Sequence, residues 1–360
     1  MAKRIYIAGA HSRARTLAAY LCSLYPDMSI EAYLVDNEEK NKKEIDGIPV
    51  IKFNKDSKLH RNYPVFIGTR GVYHRALSEK FKGLGMKEVY PVTVKLDSKL
   101  RNMYLKKYFS GIGRKYEKID DFKGAHNLLQ KSSACVYVVK SIYDKPLQQP
   151  YSLAPYEKTI QAGAALADKQ LPDRSFADND GENISIKNKQ YCELTALYWI
   201  WKHAEEDVIG LVHYRRHFAL PEDWLERMSV NEIDVILPVP LYVSPSLEEN
   251  FENRHDSSDW DYMMQNLKLN YEEYYWEAKR FFQGNLYSPC NMFIMKKKVL
   301  DDLCTWLFPI LDAVAEHGGQ KEDNYLNRYP GFISERLISF FFEKFREKYR
   351  VVYADKNFLT

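Results

Sequence analysis

The sequence has 360 residues, with 52 Lys and Arg against 49 Asp and Glu and a formal net charge of +3. Hydrophobic residues make up 45% and charged residues 28%, which is typical of a globular protein of about two domains. No stretch approaches the roughly 18 apolar residues of a membrane span, and the first residues, MAKRIYIAGA, lack the apolar core of a signal peptide. These features exclude a membrane-spanning protein, and we expect a cytoplasmic one.

Charge is divided unevenly along the chain. Residues 1–150 carry 28 Lys and Arg against 15 Asp and Glu, whereas the remainder carries 24 against 34. A basic half is suited to anionic lipid or nucleic acid, although a solvated basic face is an equally ordinary interpretation. Five cysteines, an odd number without zinc spacing, favour a reducing compartment.

The first elements alternate between strand and helix patterns. RIYIAGAHSRARTLAAYL predicts a strand, a turn at Gly9 and a helix, and further strands are predicted in IEAYLVDN, PVFIGTRG and MKEVYPV. This alternation predicts a parallel, doubly wound sheet, and we assign residues 1–94 to a Rossmann-like domain. The loop GAHSRA departs from the dinucleotide fingerprint because His11 replaces its second glycine, although Asp36 ends the second strand where a ribose-binding acid would lie. We therefore favour another ligand or a scaffolding role.

Residues 95–131 break this rhythm and predict a basic connector with some helix. They carry 10 Lys and Arg against 4 Asp and Glu. Apolar and aromatic side chains among the lysines suit a membrane surface, although such mixtures are more often solvated helices. The side chains in question are those of Met103, Tyr104, Leu105, Tyr108 and Phe109.

Residues 132–360 predict a second α/β domain. A strand begins near Cys135, YCELTALYWIWKHA is an amphipathic helix, and DVIGLVHY and IDVILPVP are strands. A strand with a long helix follows in SPCNMFIMKKKVLDDLCTWLFPILDAVAEH, then the helix GFISERLISFFFEKFREK and the strand YRVVYA. The order of these elements indicates an α/β fold with a central sheet.

Two polar stretches of this domain suggest sites for ions. In DNDGEN, Asp178 and Asp180 form an Asp-x-Asp pair that suits Mg²⁺ or Mn²⁺, and the alternative is a turn whose side chains bond their own backbone. In HYRRHF, Arg215 and Arg216 follow a buried strand, so their side chains point to opposite faces if the strand continues. Because ligands of α/β sheets bind at the carboxyl ends of strands, this cluster suits a diphosphate, and an inter-strand salt-bridge network is the alternative.

Two further stretches contain residues that suit sugar binding or general-base catalysis. NRHDSSDWDYM places Trp260 among carboxylates, which suits a sugar ring and its hydroxyls, while a capped helix with Asp256 or Ser257 as N-cap is the alternative. RYPGFISERL places Glu335 and Arg336 just inside a helix. A glutamate there is favoured by the helix dipole alone, and a general base is the alternative.

Four of these stretches, in order, resemble a bacterial family catalogued as a domain of unknown function, number 4422. They are DNDGENISIKNKQYCELTALYWIWKH, IGLVHYRRHF, CNMFIMKKKVLDDLCTWLFPIL and GFISERL, and the resemblance covers roughly residues 135–360. It implies a GT-A-like glycosyltransferase from capsule and lipopolysaccharide gene clusters, with some relatives linked to galactofuranose transfer. The N-terminal region resembles the Rossmann-like domain attached to sugar acyltransferases.

The resemblance also implies roles for individual residues. The donor would be a nucleotide sugar, with UDP as the expected nucleotide, and its diphosphate would be neutralised by a metal or by basic side chains. The residues implied are His213, Arg215 and Arg216 for the diphosphate, Glu335, Asp256 or His255 for the base, Trp260, Asp259, Asn291 and Arg336 for the acceptor sugar, and Asp178 and Asp180 for Mn²⁺ or Mg²⁺. No Asp-x-Asp ends a strand here, so a metal-independent mechanism is the other option.

The expected acceptor is a lipid-linked glycan at the inner face of the plasma membrane. An anionic membrane would give the basic half of the chain a partner, and we expect no nucleic-acid partner. The main alternative is a non-catalytic protein that binds nucleotide sugars or glycans. An NAD-dependent sugar-modifying enzyme is the third option, and the altered glycine loop counts against it.

Overall fold

The computed structural model describes residues 3–36, 41–124 and 132–359. The chain forms two compact units, one of residues 1–116 with 242–244, and one of residues 117–241 with 245–360. Each unit is built on a sheet that contains parallel strands, so the predicted α/β class is confirmed.

The described part of the first unit holds a six-stranded sheet in the order β3-β4-β2-β1-β5-β6. Its neighbours pair in parallel except for the β3–β4 hairpin. The elements are β1 Lys3–Ala8, α1 Ser12–Leu24, β2 Met28–Val35, β3 Glu44–Ile45, β4 Ile48–Lys52, β5 Val65–Ile67, α2 His74–Gly83, β6 Val89–Pro91 and α3 Val94–Gly111.

The turn from β1 into α1 is packed too closely for a side chain at Gly9. Gly9 has a φ of 106°, and a Cβ placed there would lie 3.0 Å from Cγ2 of Thr69. Glycine meets both demands because it tolerates positive φ and brings no side chain. The preference for another ligand or a scaffolding role in this unit stays a prediction.

Helix α3 occupies much of the segment that we predicted to be a basic connector. Thr93 caps the helix by accepting a hydrogen bond from the Leu96 amide at 3.3 Å, and the Tyr104 ring lies 5.0 Å from that of Tyr20. Leu105 and Phe109 are buried together with Tyr104. The helix therefore packs within the first unit, whose limit at residue 116 differs from the predicted limits at 94 and 131.

This packing corrects the predicted membrane-facing set. Three of the five side chains, those of Tyr104, Leu105 and Phe109, are buried in the unit and cannot reach a surface, whereas Met103 and Tyr108 are exposed. The amphipathic spacing of this basic segment therefore indicates a side of the helix that packs against the core, and not one that faces a membrane. Among the described residues, no helix is long and apolar enough to cross a membrane.

The second unit contains a nine-stranded sheet among the described residues, with the main order β16-β12-β15-β10-β7-β8-β9 and with β11 pairing with β10 and β17. The strands of this part of the chain are β7 Ala134–Lys140, β8 Glu157–Gln161, β9 Phe176–Ala177, β10 Val208–His213, β11 Arg216–Phe218, β12 Val235–Pro238, β13 Leu241–Tyr242, β14 Leu286–Tyr287, β15 Phe293–Lys296, β16 Val351–Ala354 and β17 Lys356–Phe358. The helices are α4 Asn188–Tyr191, α5 Glu193–His203, α6 Trp224–Val230, α7 Leu247–Glu252, α8 Ser257–Asn270, α9 Glu272–Phe282, α10 Lys297–Gly318 and α11 Tyr329–Lys344.

Strand direction decides which residues meet at the edge of this sheet. β10 runs parallel to β7 and antiparallel to β15, with Leu211 opposite Phe293. The last residues of β10 and the residues that precede β15 therefore lie at the same edge. Gly210 allows this close pairing, because a Cβ there would lie 2.8 Å from Val136 and 2.9 Å from Ile294.

Candidate active site

The site begins at His213, the last residue of β10. Its Nε2 lies 2.6 Å from the Cys290 carbonyl oxygen. Since a carbonyl only accepts, Nε2 carries the proton and Nδ1 carries the lone pair. Burial lowers the pKa of His213, so the imidazole is neutral at pH 7.

The turn that precedes β15 is strained and holds two carboxylates. Cys290 and Asn291 have φ values of 79° and 48°, which non-glycine residues rarely adopt. The Cys290 amide donates to Oε1 of Glu335 at 2.8 Å, and Nδ2 of Asn291 donates to Oε1 of Glu193 at 2.8 Å. Two consecutive residues thus hold two glutamates from different helices, α11 and α5, beside His213. Backbone strain of this kind persists mainly where function requires it.

Glu335 has the environment of a general base. Burial raises the pKa of its carboxyl above the usual value of 4.5, with the charge on Arg336 acting in the opposite direction. Oε2 of Glu335 lies 4.0 Å from Nη1 of Arg336, and Oε1 is held by the Cys290 amide. A carboxylate with a raised pKa accepts a proton more readily than an ordinary glutamate.

Basic side chains from two strands stand beside this carboxylate. β11 and β17 are antiparallel, with Arg216 opposite Phe358 and Phe218 opposite Lys356, so Arg216 and Lys356 project from the same face of the ribbon. Nζ of Lys356 lies 3.4 Å from Sγ of Cys290. The positive charges of both side chains oppose protonation of His213.

The predicted opposite orientation of Arg215 and Arg216 required a continuous strand, but Tyr214 and Arg215 form the turn between β10 and β11. Nη2 of Arg215 donates to the Lys145 carbonyl at 3.1 Å, and its guanidinium lies 5.0 Å from the centre of the Tyr214 ring. Its Nε is buried and has no hydrogen-bond partner within the described ranges. Arg215 therefore links the end of β10 to the segment that follows β7.

A third cation lies near Glu193. Cys192, which precedes Glu193, has a φ of 51°, and its Sγ accepts a hydrogen bond from Nε of Arg328 at 2.9 Å. The positive charge of Arg328 and the negative charge of Glu193 both act on the pKa of the Cys192 thiol, which burial raises to about 11.

Sequence reasoning missed four members of this site, namely Glu193, Cys290, Arg328 and Lys356. Glu193 and Cys290 lie in the stretches that carry the family resemblance, but neither stands in a distinctive motif. Lys356 lies in a short C-terminal strand, and only the pairing of β17 with β11 brings it to the site. No pattern in the sequence marks that pairing.

Asp178 does not fit a metal site. Its carboxylate accepts hydrogen bonds from the amides of Gly163 and Ala164 at 2.8 and 2.9 Å and from the hydroxyls of Ser185 and Thr195 at 2.5 Å each. The side chain is fully buried, so these four donors occupy the positions that a cation would need. Asp180 is exposed, and no group of three or more His, Cys, Asp and Glu in the part of the chain that the structure describes could hold a metal ion. The metal prediction is therefore corrected at Asp178, whose role is to anchor the loop.

A comparison of stability tests this correction. Replacing Asp178 with Ala leaves four donors without their acceptor, so we expect a loss of about 3 kcal/mol or more in the free energy of unfolding. Asp180→Ala changes an exposed residue and should alter it by about 0.5 kcal/mol or less. Chemical denaturation of both variants measures the difference. Equal, small losses would show that the Asp178 network contributes little.

The stretch around Trp260 also differs from its predicted role. The indole is fully buried and its Nε1 donates to Glu248 at 3.1 Å, so it cannot stack on a sugar. Asp259 is likewise buried and pairs with Lys321. Asp256 caps α8 through the Ser258 amide at 3.0 Å and pairs with Lys321 at 3.2 Å, as expected for a helix cap.

The two remaining acceptor candidates are buried as well. Arg336 donates to the Phe332 carbonyl at 2.8 Å and to Oδ1 of Asn250 at 3.0 Å, so it fastens α7 to α11 and cannot contact a sugar directly. Asn291 holds Glu193 and also donates to the Gly331 carbonyl at 3.0 Å. It therefore positions the glutamate. Of the predicted residues, the structure brings together His213, Arg215, Arg216, Asn291 and Glu335.

Comparison with known proteins gives two findings. The model of a family described as a domain of unknown function, DUF4422, matches residues 139–347. A solved structure described as the apo form of WbbM, a bifunctional glycosyltransferase, is 26% identical with a TM-score of 0.54, over 63% of this chain and 45% of that chain. The chain thus spans less than half the length of that neighbour. No curated protein matches it.

Proposed function

Since the chain belongs to the DUF4422 family, we propose that it is a glycosyltransferase whose active site lies at the carboxyl end of β10. The observation that carries the proposal is the strained Cys290–Asn291 turn, which holds Glu335 and Glu193 beside a group of basic side chains. The similarity to a glycosyltransferase of known structure supports the same reaction class.

In the proposed reaction, Glu335 is the general base. It takes the proton from an acceptor hydroxyl as that oxygen forms a bond to the anomeric carbon of the donor sugar. The bond from the anomeric carbon to the diphosphate oxygen breaks, and its electron pair leaves with the diphosphate. The raised pKa of Glu335 supports this role, because a base is most effective when its pKa approaches the working pH.

The departing diphosphate needs positive charge at the place where its negative charge develops. We assign this task to Arg216 and Lys356, which project from the same face of the β11–β17 ribbon, with Arg215 in the turn that precedes β11. Arginine is well suited to it because its planar fork matches phosphate oxygens. His213 is held neutral and orders the turn through the Cys290 carbonyl.

Basic side chains would then provide the charge that a divalent ion provides in other enzymes. The Asp178 and Asp180 pair does not support a metal site, so no step is assigned to Mn²⁺ or Mg²⁺. We expect the activity of the enzyme to survive EDTA.

The finer identity of the substrates is part of the proposal. The family resemblance supports a UDP-linked donor, with galactofuranose as one candidate sugar, and a lipid-linked capsular or lipopolysaccharide glycan as acceptor. Such an acceptor would bring the protein to the cytoplasmic face of the membrane, where the basic residues 1–150 would face anionic lipid.

A panel of nucleotide sugars tests the proposal. The protein is incubated with each donor and membrane-extracted acceptor, in the presence of Mn²⁺ or of EDTA, and release of nucleoside diphosphate is measured. We expect release with at least one donor under both conditions. Binding of donors without any release would instead indicate a non-catalytic protein that binds nucleotide sugars.

A further inference from the structure

An accessible aromatic surface lies near the glutamates. The rings of His255 and Tyr325 are stacked with their centres 5.1 Å apart, and the Phe332 ring lies 4.3 Å from His255 and 5.2 Å from Tyr325. Tyr325 is 46% exposed and Phe332 partly exposed, whereas His255 is buried beneath them. We call these three rings the aromatic face.

Contacts of Arg328 and Arg336 connect the aromatic face to the candidate active site. The Arg328 guanidinium lies 5.8 Å from the centre of the Phe332 ring, and its Nε donates to Cys192, the residue before Glu193. Arg336, the residue after Glu335, donates to the Phe332 carbonyl. These contacts connect the aromatic face to the residues that adjoin Glu193 and Glu335. Phe332 and Glu335 are also three residues apart on α11, which makes them neighbours on the surface of that helix.

The rim of the aromatic face is positively charged. Arg254 and Arg328 are exposed, and neither makes an ion pair with a carboxylate among the residues that the structure describes. Burial, together with the charges of Arg336, Arg254, Lys321 and Arg328, lowers the pKa of His255 to about 4. The imidazole is therefore neutral and adds no charge to the rim. Lys321 is paired with Asp256 and Asp259, and Glu193 acts on Arg328 without forming an ion pair among the described residues.

We propose that the aromatic face is the acceptor subsite and that the sugar bound there carries a carboxylate or phosphate group, which pairs with Arg254 and Arg328. An aromatic ring packs against the apolar face of a pyranose, and a guanidinium forms paired hydrogen bonds with either anion. The role of the aromatic face as acceptor subsite rests on the proposed function, whereas its preference for an anionic sugar rests on the residues of the site alone. None of the residues that we predicted to contact the acceptor belongs to the aromatic face. His255, which does belong to it, was predicted to be the base.

Ligand-observed NMR on the full chain tests the proposal with three probes. They are methyl glucuronoside, glucose 6-phosphate and the neutral methyl glucoside. We expect at least one anionic probe to bind about tenfold more tightly than methyl glucoside, since a hydrogen bond to a charged group contributes roughly that factor. The anion that is preferred identifies the charged group of the natural sugar. Equal binding of all three, or no binding of either anion, would overturn the proposal.

Variants and a competitor sharpen the test. Arg254→Ala should remove the preference for the anion, whereas Arg280→Ala, which removes an exposed arginine on α9, should keep it. A preference that survives in Arg254→Ala would contradict the proposal, with thermal unfolding confirming that the variant is folded.

Competition with UDP is a separate test. UDP should leave the probe bound, and displacement of the probe by UDP would assign the aromatic face to the donor and overturn the proposal. If no donor were turned over, only the glycosyltransferase role would be contradicted, because the binding measurements with the three probes contain no donor.

Discussion

Replacing Glu335 with Gln should lower kcat by roughly 100- to 10,000-fold, the range that general-base catalysis contributes. Glutamine has the same shape, and its amide oxygen can still accept the hydrogen bond from the Cys290 amide. The variant therefore removes the proton acceptor and keeps the turn. The rate of nucleoside diphosphate release, measured at saturating donor and acceptor, gives the comparison.

The stability of Glu335→Gln separates loss of the base from loss of the fold. A buried carboxyl whose pKa is raised on folding binds protons more tightly in the folded state, so the free energy of unfolding decreases as pH rises from about 4.5 through the raised pKa. Glutamine removes this cost, and at pH 8 the variant should unfold at the same temperature as the wild type or higher. Glu322→Gln, an exposed substitution, is the control for activity. A catalytically intact Glu335→Gln would contradict the role of base.

The pH profile of the wild type provides a second readout. Only the carboxylate form of Glu335 accepts a proton, so activity should fall as pH decreases through the raised pKa, at a higher pH than an ordinary glutamate with a pKa of 4.5 would give. This acidic limb should disappear from the residual activity of Glu335→Gln. A limb that persists unchanged would belong to another group.

Arg216→Ala should lower kcat by roughly 100- to 1000-fold, because one preorganised donor to a developing negative charge contributes about that much. Arg216 shares its face of the β11–β17 ribbon with Lys356, and both act on His213 and Cys290. Arg216→Lys retains the charge without the planar fork and should recover part of the loss. The rate of diphosphate release for the three proteins measures the effect.

The neighbouring arginine offers a matched comparison. Arg215 lies in the turn before β11 and already donates to the Lys145 carbonyl, so Arg215→Ala should weaken donor binding more than it lowers kcat. UDP binding by calorimetry, compared with kcat, separates the two contributions. If Arg216→Ala and Arg215→Ala reduced neither kcat nor UDP affinity, the assignment of the diphosphate to this edge would be wrong.

Much of the fold was predictable from local pattern. Apolar runs of four to six residues with flanking turns marked strands such as β1 and β10, and helical spacing marked helices such as α5 and α11. The same pattern misled in 95–131, because lysines on the outer side of α3 hid the buried stripe of Leu100, Tyr104, Leu105 and Phe109. Which side of an amphipathic helix meets a core depends on its neighbours, and the segment alone does not contain that information.

The site was predictable only in part, for a related reason. Arg215, Arg216 and Glu335 stood out because basic residues at a strand end and a carboxylate in a helix are local features. Glu193 and Lys356 could not be found in this way, because their positions depend on long-range contacts of Asn291 and of β17. Trp260 was misassigned because residue type does not distinguish a buried indole from one that stacks on a sugar.

A crystal structure of the protein with bound UDP would show directly where the diphosphate binds. We expect the diphosphate at the carboxyl end of β10, within hydrogen-bonding distance of Arg216 or Lys356, with the Glu335 carboxylate facing the terminal phosphate across the space for a sugar. UDP bound through Asp178 and Asp180, or at the strand ends of the first unit with the end of β10 empty, would contradict this placement of the active site.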